Sequence, residues 1–336
     1  MENILIKLKQ NLIIIVLIAI AFIFPLLVKN SPFFLDLLFR TAIYAVLAMA
    51  WNLNAGYTGL ITFNHIALFG IGAYVSTLLQ VLYGINVWIG MFLGGLLAAV
   101  IAVSFTYPAV RLKGLFLALA TIAFSVVIQV LFINWRIIIV TDTYPRYIGG
   151  AVGVFIPLKP ESLIDLQWHT TKLPYCYLAL ILLLLEYLFM YKLMHSRIGY
   201  YFLAIKDDEV AAEHTGINTV KYKLLSIGIA AFFSAIAGSF YAQYLLFIEP
   251  VSLMSLTFMF TISLIALVGG LGTLIGPLLG SILYVPLSTF LRISIGGTRY
   301  ASLALVTLAI ILIVIIIVFP EGLYGILRRL TEKKSK

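Results

Sequence analysis

The chain has 336 residues, 63% of them hydrophobic and only 10% charged, against roughly 25% charged residues in a typical soluble domain. That composition excludes a water-soluble globule and points to an all-α integral membrane protein, a polytopic bundle of helices. The formal charge of +9 does not indicate nucleic acid, because the basic residues flank apolar runs, where they act as topology signals.

The first apolar run, residues 12–28, follows Lys7 and Lys9 and shows no small-residue cleavage site, so it reads as an uncleaved span. Further runs lie at 34–53, 59–82, 87–108, 114–134, 174–194, 222–247, 255–271, 274–293 and 301–319. With about 20 apolar residues needed per crossing, they predict about ten spans (8–10) in one transmembrane domain, residues 1–336. Glycines after Ala55 predict that the third span enters the membrane as a broken helix. Gly269, Gly270, Gly272 and Gly276 interrupt the pair at 255–293. Asp36 and Arg40, four residues apart at a span end, predict a local ion pair. Cys176 is the only cysteine, which leaves no internal disulfide.

With the N-terminus inside, fourteen of the 22 basic residues fall on the cytoplasmic side, which favours both termini in the cytoplasm. Two water-exposed segments are then long. Residues 135–173 lie outside, and their apolar patches (Ile148, Val152 to Pro157) predict that they partly cover the membrane domain. Residues 196–223 form a polar cytoplasmic loop. The glycine-dense stretches at 56–72 and 269–280 echo one another too loosely to establish a repeat.

The loop reads as a helix with its ends marked. Asp207, Asp208 and Glu209 suit a helix start, and Gly216 suits the stop. Between them Ala211 and Ala212 offer a flat surface, flanked by Glu209 and Glu213 on one face. A helix of about two turns is too short to stand alone in water, so neighbouring helices or a partner must hold it. The plainer account is an ordinary solvated connection.

Resemblance shifts that balance. Glu209-Val-Ala-Ala-Glu-His-Thr-Gly-Ile217 resembles the E-x-A-A-x-x-x-G loop of ABC-importer permeases. Gly56-Tyr-Thr-Gly-Leu-Ile-Thr-Phe-Asn-His65, Phe69-Gly-Ile-Gly-Ala-Tyr74, Arg111-Leu-Lys-Gly-Leu-Phe-Leu-Ala118, Ser196-Arg-Ile-Gly199 and Gly269-Gly-Leu-Gly-Thr-Leu-Ile-Gly-Pro-Leu-Leu-Gly280 are similar to stretches of branched-chain amino acid importer permeases, most of all the M-type subunit. The ordered matches run through residues 50–290. Asn64 stands where the family usually has Gly, and Tyr200 where Arg is common. The resemblance implies a translocation subunit in the cytoplasmic membrane of a prokaryote, working with a second homologous permease. It also implies two cytoplasmic ABC ATPase subunits and an external substrate-binding protein. Asp208, Glu209, Ala211, Ala212, Glu213 and Gly216 would then form the ATPase-coupling loop. The implied substrates are branched-chain amino acids, with urea, short amides or sugars as alternatives within the same superfamily.

Asn52, Asn54, Asn64, His65, Gln129, Glu186, Gln243 and Glu249 lie in or near spans, where polar groups usually face a bundle interior or cavity. Asn52, Asn64 and His65 are candidates for a passage or gate, with interhelical hydrogen bonding as the plainer account. Gly269, Gly270 and Gly272 are candidates for a flexible gate turn, or equally for tight helix packing. Glu186 reads as a partner contact, a cavity lining or a residue near the cytoplasmic end. Enzyme chemistry is not indicated. No G-x-x-x-x-G-K-[ST] run is present, the four histidines are far apart with no metal-ligand spacing, and no cofactor motif appears. A stand-alone secondary transporter, the competing class, would need midplane charges that the sequence scarcely offers beyond Glu186.

Overall fold

The computed structural model describes residues 21–112, 114–140, 145–295 and 301–333. Among them eight helical segments are long and apolar enough to cross a membrane: Pro32–Tyr57, His65–Tyr83, Val87–Ala109, Leu115–Asn134, Leu173–Met194, Thr219–Leu245, Pro250–Gly269 and Gly276–Ser294. A further apolar helix covers Ala301–Val318. The expected first span, 12–28, lies mostly outside the described residues, although 21–27 are helical. The chain is an all-α polytopic membrane protein.

The helices are named in chain order. They are α1 (Pro32–Asn52), α2 (His65–Tyr83), α3 (Val87–Ala109), α4 (Leu115–Asn134), α5 (Leu173–Met194), α6 (Arg197–Asp207), α7 (Glu209–His214) and α8 (Thr219–Leu245), then α9 (Pro250–Leu253), α10 (Leu256–Gly269), α11 (Gly276–Ser294), α12 (Ala301–Val318) and α13 (Gly322–Lys333). Four short strands join them: β1 (Arg136–Val140) with β2 (Pro145–Gly149), and β3 (Val154–Phe155) with β4 (Phe247–Ile248), both pairs antiparallel.

The chain divides into two compact units. One holds the residues up to 49, 170–188 and those from 264 onward; the other holds 50–169 and 189–263. In the first, Arg40 Nε donates to Asp36 Oδ2 at 2.8 Å, the ion pair that the spacing predicts. A side chain on Gly269 would meet the Gly276 carbonyl, and one on Gly280 the Ile265 carbonyl. Close backbone contact therefore closes the 270–275 turn between α10 and α11.

In the second unit, α2, α3 and α8 pack through small residues. A Cβ on Gly72 would collide with the Ala235 carbonyl oxygen, and one on Gly238 with that of Phe69. Leu68, Ile71, Ala98, Ala102, Ile227 and Ala231 fill the core around this contact. Lipid tails are as apolar as leucine, so close van der Waals fit between small residues drives such association.

The third span is shorter than its apolar run. The α-helix of α1 loosens into a π-helical turn at Leu53–Tyr57, and Thr58–Asn64 is irregular before α2 begins at His65. The glycines place this break, with Gly59 at φ +73°. Non-helical backbone at membrane depth must find its partners inside the protein, and it does. The Trp51 indole donates to the Thr62 carbonyl at 2.7 Å. The Phe63 N–H donates to Thr121 Oγ1 at 2.9 Å, and Ser125 Oγ donates to the Phe63 carbonyl at 2.8 Å.

The long segment between α4 and α5 is tied down, as its apolar patches predict. The Ile156 N–H donates to the Leu246 carbonyl at 2.9 Å beside the β3–β4 pair, and the Trp88 indole donates to the Leu163 carbonyl at 2.9 Å. Lys159 Nζ donates to Asp165 Oδ1 at 2.7 Å and holds that carboxyl below its ordinary range. Phe155 and Val152 nevertheless remain exposed.

The glycine contacts can be checked by thermal unfolding in detergent. Gly238→Ala is expected to cost about 2 kcal/mol or more, as overpacking against fixed backbone does. Gly228→Ala, whose Cβ would meet only Val103 Cγ2 at 3.2 Å, is expected to behave close to wild type. Equal melting curves for both variants would sink this account of the core.

Candidate functional site

The loop of residues 196–223 is a sequence of capped helices. The amphipathic α6 buries Gly199, Phe202 and Ile205, a three-residue spacing that gives one apolar stripe. Its charged neighbours make it look like loop in the sequence. Asp208 then turns extended (φ −155°) and its Oδ1 accepts from the N–H groups of Val210 at 2.9 Å and Ala211 at 3.0 Å. This is the N-cap that the acidic cluster predicts. At the other end the Gly216 N–H donates to the Glu213 carbonyl and the Ile217 N–H to that of Ala212, at 2.9 and 3.1 Å. With Gly216 at φ +86°, these bonds form a Schellman motif. Asn218 caps α8 through a 3.0 Å bond from the Lys221 N–H.

Both acids of α7 are bonded to α8, where an ordinary solvated connection would leave them to water. Lys223 Nζ donates to Glu209 Oε1 at 2.5 Å, with the lysine side chain 5% exposed and the glutamate 28%. Thr219 Oγ1 donates to Glu213 Oε1 at 2.6 Å. Both carboxylates are thus tied to the first turns of α8. The expected Ala-Ala surface is split: Ala212 is buried, whereas Val210, Ala211 and His214 face outward.

The loop also touches the break between α1 and α2. A Cβ on Gly59 would contact Lys206 Cγ at 3.4 Å. Thr58 Oγ1 lies 3.3 Å from Ser226 Oγ, which in turn donates to the Lys223 carbonyl at 2.8 Å. Further along the break, Asn54 Nδ2 is 3.3 Å from His65 Nε2. Asn52, Asn54, Thr62, Asn64 and His65 are all buried, and neither amide atom of Asn64 has a hydrogen-bond partner among the described residues. Of the candidate gate residues, His65 is brought against Asn54, and the stretch that carries Asn52 and Asn64 is joined to the loop through Thr58 and Gly59.

Gly269, Gly270 and Gly272 belong to the other unit. Gly270 at φ +125° and Gly272 at +71° adopt conformations that favour glycine, and a Cβ on Gly322 would collide with Gly270. Glu186 is fully buried and its carboxylate oxygens have no hydrogen-bond partner among the described residues. Among those residues no group of three His, Cys, Asp or Glu could hold a metal. One polar set escaped the sequence reading: Tyr74, Thr77 and Gln80 of α2, the last of which accepts a bond from the Gln243 already noted on α8. Its signal was a three-residue spacing inside an apolar run.

With this geometry in place, comparison with known proteins is decisive. The family model described as the permease component of branched-chain amino acid transport systems matches residues 33–319. The chain belongs to that family. High-affinity branched-chain amino acid transport system permease protein LivM of Salmonella typhimurium is 26% identical, over 97% of this chain and 78% of the relative. The probable LivM permease of Methanocaldococcus jannaschii is 22% identical, over 84% and 90%. LivH of Escherichia coli is 25% identical, over 84% and 91%. This family chain is a transport permease, not a catalytic enzyme.

The loop geometry makes an asymmetric prediction. Glu209→Ala leaves the buried Lys223 ammonium without its carboxylate and is expected to cost about 2 kcal/mol, reduced from the cost of breaking a fully buried pair because Glu209 is part-exposed. Lys223→Met leaves a carboxylate that can turn toward water and should cost about half as much. Thermal unfolding of the two variants checks the order; the reverse order would show that the ion pair is not what holds α7.

Proposed function

We propose that the chain is the translocation subunit of an ABC importer that moves branched-chain amino acids across the cytoplasmic membrane of a prokaryote. It pairs with a second homologous permease, takes substrate from an external binding protein and is driven by two cytoplasmic ATPase subunits. Both termini lie in the cytoplasm, and the bundle contacts lipid around its rim. Family membership supports the transport reading, and the names of the LivM and LivH relatives support the substrate class.

The observation that carries the coupling role is the construction of α7. It is capped at Asp208, closed at Gly216 and bonded to α8 through Glu209 and Glu213, so it moves with α8 instead of flexing in the loop. Its outward surface of Val210, Ala211 and His214 is free to seat in an ATPase groove, with Ala211 allowing close approach. Ala212, turned inward, fixes the packing beneath. When the ATPases close, displacement of α7 is passed to α8 by Lys223 and to the α1–α2 break by Lys206 and Ser226. The polar break with Asn52, Asn64 and His65 is the gate that this motion opens, and the tight turn at Gly269, Gly270 and Gly272 is a second candidate hinge. Only contacts that differ between the two states can shift the equilibrium, and those at α7 are made with a partner whose shape depends on ATP.

Two results check this reading. In proteoliposomes holding the whole complex, Ala211→Trp and Gly216→Val are expected to lower ATP-driven uptake about tenfold or more while ATP hydrolysis persists; normal uptake in both removes α7 from the mechanism. The chain purified alone should hydrolyse no ATP and should co-purify with an ATPase when the complex is expressed. Appreciable turnover by the isolated chain would refute the division of labour.

A further inference from the structure

Helix α13 has the pattern of an amphipathic helix. Leu323, Ile326, Leu327 and Leu330 recur at intervals of three and four, the spacing of one apolar stripe. The positions between and after them carry Arg328, Arg329, Lys333, Lys334 and Lys336, against Glu332 alone among acids from Gly322 onward. Arg329 approaches Glu321 Oε1 at 3.5 Å, with both side chains more than half exposed. A pair so open to water does little to quench the positive charge of the helix.

The fold holds this helix at the membrane boundary. The apolar α12 ends at Val318, and its link to Gly322 is a tight turn. The Phe319 N–H donates to the Ile315 carbonyl and the Gly322 N–H to that of Phe319, both at 2.8 Å, with Gly322 at φ +69°. The start of α13 is also pressed onto the turn between α10 and α11. A Cβ on Gly322 would collide with the Gly270 backbone, and one on Gly270 would meet Tyr324 Cβ at 3.1 Å. Two of the span-length segments, Pro250–Gly269 and Gly276–Ser294, meet at this turn. Tied to three apolar helix ends, α13 lies at the surface of the bilayer and not out in the surrounding water.

Pattern and placement together name a partner. A helix with an aliphatic stripe and a basic remainder lies flat among lipid headgroups, with its apolar face in the acyl boundary. Lysine and arginine suit that depth, because their stems can stay with the acyl chains while their charges reach the phosphates. Several basic residues next to a span are drawn to anionic headgroups, each adding to the attraction. A water-facing acidic protein would meet the charges but leave the stripe uncovered. Anionic lipid covers both.

We propose that α13, with the basic residues that follow it, is a binding site for anionic phospholipid headgroups, its aliphatic stripe on the acyl layer and its basic residues among the phosphates. The site goes beyond the transport reading and does not depend on it; it uses only the membrane setting of the chain. Because Gly322 abuts Gly270, lipid held at α13 also steadies the turn between α10 and α11.

The test uses the full chain in lipid nanodiscs, with amide hydrogen exchange of residues 322–333 as the readout. Exchange is expected to be about fivefold slower or more in phosphatidylglycerol than in phosphatidylcholine. In about 1 M salt, where charges are screened beyond about 3 Å, the two lipids should give rates within about twofold of each other. The quadruple variant Arg328→Gln, Arg329→Gln, Lys333→Gln, Lys334→Gln should lose the difference as well, with exchange across α2 and α8 unchanged. If that variant fails to fold, the salt comparison decides alone. Equal rates for the wild type in the two lipids overturn the site and leave α13 to its contact with Gly270 or to an acidic protein. A slowing that survives either the salt or the folded variant also overturns it, since headgroup charge would then play no part.

Discussion

The structure depends on one constraint of the lipid interior: backbone that leaves the helix must find every hydrogen bond within the protein. The stretch from Leu53 to Asn64 meets it with side chains. Trp51 serves the Thr62 carbonyl, while Thr121 and Ser125 of α4 serve Phe63. The break is therefore a fixed object, held by two helices and buried polar groups. It gives the membrane unit irregular backbone at depth, where a bundle of uninterrupted helices would present only side chains.

Close approach is the second condition. The α2–α8 contact has no room for a Cβ at Gly72 or Gly238, so the two helices meet backbone to backbone. That intimacy puts Ser239 Oγ within 2.8 Å of the Gly72 carbonyl and Gln243 beside Gln80 farther along. The polar face of α2 and the capped loop at the start of α8 thus belong to one tightly joined pair. A shift in either helix is felt by both.

Much of this was legible in the sequence, for physical reasons. Spans are set by length and apolarity, so their number and order follow from the runs, and glycine density marked both interruptions. Asp208 and Gly216 carry their roles in their own chemistry, as a cap oxygen and as a residue that tolerates positive φ, and so α7 could be bounded before it was seen. Other features depend on neighbours that sequence distance hides. Lys223 lies 14 positions from Glu209, across the Gly216 turn, and nothing local pairs them. The amphipathic α6 was masked by its charges, and Ala212 gave no sign that it would turn inward while Ala211 turned out. Tyr74 and Thr77 pass for ordinary apolar-run residues until their hydroxyls are found without hydrogen-bond partners among the described residues. Glu186 was visible as an outlier in a leucine run, but what buries it is a matter of packing.

The length of α8 has a mechanical consequence. Its 27 residues make a rod of about 40 Å at 1.5 Å per residue, begun by Asn218 and ended where Leu246 turns left-handed into β4. Glu209 and Glu213 grip one end of this rod, and the β3–β4 pair grips the other. A stiff rod does not dissipate a displacement along its length; it delivers it as translation or rotation at the far tip. A nudge of an ångström or two at α7 would therefore arrive at β4, and at the short helix behind it, almost undiminished. The smallest elements of the fold, a two-residue ladder and a single-turn helix, thereby become the working end of its longest helix.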